Sequence, residues 1–159
     1  MTDLTHILNW RRLSDRITTS GQPSEAELSE IKALGVTEII NLGPHGNKGA
    51  LADEAGTVAN LGMTYHYIPV RFQNPTDADY EAFREALKTT DPAKVHVHCI
   101  YNARVSAFFY RYAKRDSGLP IEFAFDNMES IWRPGSDWAR FIDDKNAFGQ
   151  LNRYKGEDY

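Results

Sequence analysis

Apolar residues recur along this chain in two rhythms. Ala26, Leu28, Ile31 and Leu34 keep the three-to-four spacing of one helix face. Ser24 follows Pro23 and has Glu27 three residues on, the signature of a capping box, and Gly35 stops the run. Thr37-Glu38-Ile39-Ile40-Asn41-Leu42 is a β-branched stretch that predicts a buried strand. It ends in turn formers, Gly43-Pro44-His45-Gly46-Asn47-Lys48-Gly49. Leu51, Ala55, Val58 and Leu61 mark a second helix closed by Gly62, and Met63 to Val70 predicts another strand. A loop through Gln73-Asn74-Pro75 leads to Thr76, a cap for a third helix whose core face is Tyr80, Phe83 and Leu87. Lys94 to His98 is a short strand, and Val105 to Tyr112 an apolar helix. Beyond Gly118-Leu119-Pro120, Phe123, Phe125, Met128, Ile131, Trp132, Trp138 and Phe141 predict one or two helices packed on the body.

Helices alternating with strands through short connections specify an α/β domain. The 159 residues suit one domain, with a core over about 10–117 and a helical extension over about 119–159. A net charge of −4 provides no general attraction for nucleic acid or an anionic membrane. Any anionic ligand must therefore be held by local cations. The single cysteine, Cys99, cannot form an internal disulfide. No stretch has the apolar length of a membrane span, and Met1 to Asn9 lacks the apolar run of an export signal, so a cytoplasmic setting is expected.

The chemistry is expected at Val95 to Ser106. A cysteine at the C-terminal tip of a central strand, followed by a short loop and a helix, occupies the favoured ligand position of α/β sheets. Amides of Ile100, Tyr101, Asn102, Ala103, Arg104 and Val105 can converge on an anion at the helix N-terminus. The same field stabilises a thiolate at Cys99. Arg104 offers a planar fork for two oxygens of a phosphate, and His98 orients the loop. These parts suffice for displacement through a cysteinyl intermediate. His96 and His98 alternate on one strand, but no further His or Cys stands at ligand spacing, so neither a metal nor a cofactor is expected. His45 and Lys48 read as solvated turn residues.

His98-Cys99…Arg104 resembles the signature of the cysteine-dependent protein-phosphatase superfamily. Thr19-Ser20-Gly21-Gln22-Pro23-Ser24 and Glu38-Ile39-Ile40-Asn41-Leu42 resemble the opening of its bacterial dual-specificity-phosphatase-like family, once catalogued as a domain of unknown function. That family's domain is also found fused to metallo-β-lactamase-like hydrolases. The resemblance covers about residues 10–115. It implies a three-layer fold, a central and mostly parallel sheet flanked by helices, and hydrolysis of phosphate monoesters through a phosphocysteine. The chain departs from the superfamily pattern in three ways. Four residues rather than five separate Cys99 from Arg104. Asn102 stands in for the loop glycine, with the left-handed backbone that Asn tolerates. Ser106 takes the place of the post-arginine hydroxyl if counted from Cys99. The superfamily's acid is an aspartate from a neighbouring loop, but the loop after Val70 begins Arg71-Phe72-Gln73. Asp77 and Asp79 are then the acid candidates, and Arg71 a second cation for the anion. Two alternatives stay open: a rhodanese-like sulfurtransferase using a Cys99 persulfide, and an anion-binding module without turnover.

Overall fold

The computed structural model describes residues 2–116 and 118–154; residues 117 and 155–159, where the expected core and extension end, lie outside them. Five strands, β1 (Arg11–Arg12), β2 (Ile17–Ser20), β3 (Glu38–Asn41), β4 (Thr64–Tyr67) and β5 (Val95–His98), form one sheet in the order β1-β2-β5-β3-β4. β1 runs antiparallel to β2 and every other pairing is parallel. β5 is thus central, its last residue His98 level with Ser20 on one side and Asn41 on the other. The chain leaves the middle of the sheet at Cys99.

Local sequence sets the helices. α1 (Glu25–Ala33) and α3 (Asp77–Thr90) both start with complete capping boxes, Ser24 with Glu27 and Thr76 with Asp79. Each box satisfies two backbone donors that a helix start otherwise leaves open. α2 (Glu54–Asn60) is capped by Asp53, and α4 (Ala103–Asp116) follows β5 after four residues. The C-terminal part adds α5 (Ile121–Glu129), α6 (Ser136–Phe141) and a small hairpin of β6 (Trp132–Arg133) and β7 (Arg153–Tyr154).

The pleat of the sheet sorts side chains onto two faces. Ile40, Val95 and Val97 pack with Tyr80 and Phe83 of α3, Phe108 and Phe109 of α4, and Trp132 and Trp138 of the C-terminal part. Ile39 packs on the opposite face with Leu28 and Ile31 of α1, Val58 of α2, and Leu4, Ile7 and Trp10. Helices on both faces make the expected three layers. α4 is buried almost all round, because α5 and α6 cover its outer side; Arg111 stacks between Tyr80 (4.5 Å) and Phe141 (4.4 Å).

Four of the described strands, β1, β2, β6 and β7, are not among those expected from the sequence. β2 is Ile17-Thr18-Thr19-Ser20, three of its four residues polar, yet all four are buried. A rule that looks for apolar runs passes over such a strand. Met63 to Val70 shortens to β4, an edge strand, after which Val70 hydrogen-bonds Leu42 (2.9 Å) without extending the ladder.

Candidate active site

The loop between β5 and α4 is fixed by its neighbours. Asn102 adopts the left-handed conformation expected of it, φ 75°. Its Nδ2 donates to Asn9 O (2.8 Å) and Thr19 Oγ1 (3.1 Å), while Asn9 Nδ2 donates back to Tyr101 O (2.8 Å). The first helical bond of α4 runs from Ser106 N to Asn102 O (3.0 Å). The amides of the first turn therefore have no carbonyl within the helix. Asn102 is a cap whose amide group is spent on Asn9, so it leaves those donors facing the loop. Gln22 N donates to Ile100 O (3.0 Å), and a Cβ on Gly21 would stand 2.7 Å from that same oxygen. Only glycine allows this approach.

Above the loop lies a cleft of about 850 Å³. Its walls are Leu8, the Pro44–Gly49 turn, Arg71-Phe72-Gln73, and Ile100, Tyr101 and Arg104 of the loop. Arg104 is fully buried, its guanidinium carbon 5.3 Å from the Phe72 ring centroid. Cys99 also has no exposed surface. It continues the Val95, Val97 alternation and belongs to the same apolar cluster, which also holds Leu42, Val70 and Phe72.

Several expected site residues are placed elsewhere. Ser106 Oγ donates to Ala103 O (2.8 Å) and accepts from Trp132 Nε1 (3.0 Å), so its hydroxyl is committed to the core rather than to a ligand. Ala103 and Val105 bury their side chains and can offer only backbone. Asp77 pairs with Arg111 (2.7 Å), whose hydrogen bond and charge hold its carboxyl below the usual range. Asp79 closes the capping box on Thr76 N (3.2 Å). Neither aspartate lines the cleft. Arg71 does, and so does Lys48, which the sequence marks only as a turn residue. His45 is no plain turn residue either: it stacks on Tyr67 (3.8 Å) and bonds Tyr65 Oη (2.6 Å), which holds the Pro44–Gly49 wall.

Glu54 is a site residue that sequence reasoning missed. This carboxylate at the start of α2 is 1% exposed and lies 2.5 Å from His98 Nε2, with Gln22 Nε2 donating to its other oxygen (2.8 Å). His98 Nδ1 is 3.0 Å from Cys99 O, a group that can only accept, so Nδ1 carries a proton. A second proton lies between Nε2 and Glu54. Burial pushes the Glu54 carboxyl up, but the charge and hydrogen bond of His98, with Gln22, outweigh it and hold the group below the usual range. Glu54 thus bridges Gln22 and His98 and ties the start of α2 to the end of β5. A chain of contacts runs from Gln22 through Glu54 and His98 to the carbonyl of Cys99. His96, two residues back, takes Thr18 (2.8 Å) and Ser20 (2.8 Å) as partners, stacks on Trp10, and is fully buried.

A parallel sheet with a cysteine at the tip of its central strand, a loop and an arginine in the following helix defines the cysteine-phosphatase fold. TpbA of P. aeruginosa shares that fold at 18% identity, with a TM-score of 0.63 over 80% of this chain and 75% of that one. A protein of Shewanella putrefaciens CN-32 described as "Putative phosphatase (DUF442)" is 33% identical, with a TM-score of 0.79 over 89% of this chain and 93% of that one. The chain belongs to the DUF442 family. A "Beta-lactamase hydrolase-like protein" of Xylella fastidiosa is 34% identical over 90 residues. That match spans 55% of this chain and 21% of the longer curated protein. No protein-family profile matches the chain.

Proposed function

We propose that this protein is a cysteine-dependent phosphatase that hydrolyses phosphate monoesters. Support comes from one arrangement: Cys99 follows the last residue of the central strand, α4 opens four residues later with Arg104 in its first turn, and Arg104 lines a cleft large enough for a substrate. Membership of a family described as phosphatases agrees with this reading. The Cys99 thiolate attacks phosphorus, forming an S–P bond as the P–O bond to the leaving group breaks and the electron pair departs with that oxygen. Arg104 and the amides balance charge on the equatorial oxygens, which is where such sites do most of their work. Water then cleaves the S–P bond and releases phosphate. Cys99 has no exposed surface, so its attack on phosphorus requires a movement that uncovers the thiol.

Among the described residues no carboxylate lines the cleft. A positioned acid is worth about 10²–10⁴-fold, most for poor leaving groups. The fitting test substrate is therefore an aryl phosphate, whose phenolate leaves without much help. Wild type is expected to release phosphate from it, and Cys99→Ser to lose that release altogether. Undiminished turnover in Cys99→Ser would refute the mechanism.

A further inference from the structure

The cleft differs in charge from the chain that builds it. Overall, Asp and Glu outnumber Lys and Arg by 22 to 18. Yet the cleft is lined by Lys48, Arg71 and Arg104 and, among the described residues, by no acid. The three cations lie in two tiers. Arg104 is fully buried at the floor, whereas Lys48 and Arg71 are exposed, on two different walls. The side chains of Lys48 and Arg71 make no ion pair or hydrogen bond with any described residue. Two cations facing one cavity without a carboxylate partner repel each other, and an anion between them relieves that repulsion. Apolar groups, Leu8, Pro44, Phe72 and Ile100, line the same cleft.

Size points the same way. A tetraoxo anion displaces about as much as three water molecules, roughly 100 Å³. The cleft holds about 850 Å³, within the usual range for a whole small-molecule ligand. Four separate chain segments enclose it, which favours a small molecule over an extended polypeptide. Resting on the phosphatase reading above, we propose that the cleft takes a small molecule with two phosphate groups on an apolar body. One phosphate sits at the Arg104 floor and the second at Lys48 and Arg71. The floor selects the bond to be cleaved, and the rim selects the substrate.

The test uses the Cys99→Ser protein, so that ligands are not consumed, and compares phenyl phosphate with 1,4-phenylene bisphosphate by isothermal titration at low ionic strength. The bisphosphate is expected to bind at least about tenfold more tightly, the scale of a charge-assisted contact. In Lys48→Met/Arg71→Met, checked for an unchanged thermal midpoint, that gap should close to about twofold. Equal affinity in the parent, a gap that survives the double substitution, or tighter binding of a phosphotyrosine peptide would each overturn the proposal. The phosphatase reading stands or falls separately, on aryl phosphate turnover by the unaltered chain.

Discussion

His96 and His98 sit two residues apart on the same strand, point to the same face of the sheet, and are equally sealed from solvent, yet the groups around them differ in kind. Around His96 the partners are hydroxyls. Ser20 Oγ donates to Gly21 O (2.6 Å), so it accepts from His96 Nε2–H, and Thr18 donates to Nδ1. Burial, aided by the charge of His98, pushes the His96 imidazole well below its usual value, so it stays neutral. Around His98 the partners are a carbonyl and a carboxylate, both of which demand protons. The difference shows how a buried strand can carry one histidine as filler and another as a strut tied to a carboxylate beside the loop. What the neighbouring elements offer decides it, not burial.

The largest way to break this contrast is to remove the acid. Glu54→Ala breaks the buried His98–Glu54 pair and is expected to lower unfolding stability by about 3–5 kcal/mol in a denaturant titration. A loss below about 1 kcal/mol would mean that the pair does not hold the end of β5. Next comes pH, which separates the two regions by window. His96 has a depressed value when folded, so below about pH 6.5 the unfolded chain takes up a proton that the folded one refuses, and stability falls by about 1.4 kcal/mol per pH unit. Glu54 is also depressed, so its contribution is complete above about pH 4.3 and is lost only as pH falls further, through the folded value. Replacing His96 by Phe should flatten the upper window alone, and Glu54→Gln should alter the lower one. If either substitution changed the other's window, the two sites would be one coupled unit. The smallest effect is expected from Thr18→Val, which removes one neutral donor to His96 and should cost about 1 kcal/mol in the same titration.

Much of this was legible because it is local. Ser24 with Glu27, and Thr76 opening α3, announce helix starts within a span of four residues. The left-handed Asn102 follows from its place between a strand and a helix with no glycine available. The family resemblance, too, was carried by short motifs in order. Asp79 shows the limit: three residues after Thr76 it closes a capping box, while the family resemblance alone made it an acid candidate. Glu54 was not legible, because 44 residues separate it from His98 and α2 reads as an ordinary amphipathic helix. Nor was β2, whose buried Thr and Ser earn their place through cross-strand partners rather than through hydrophobicity.

By itself the sequence determined the alternation of helices and strands, the capped helix starts, and the cysteine and arginine that bracket one loop. These depend on the spacing of residues along a few turns of chain, where backbone geometry leaves little choice. Tertiary structure alone decided that Cys99 turns inward, that Ser106 belongs to Trp132, that Glu54 pairs with His98, and that Lys48, Arg71 and Arg104 line one cleft. Each of those facts joins segments far apart in the chain, and which partners meet is fixed only when the sheet order brings β5 between β2 and β3.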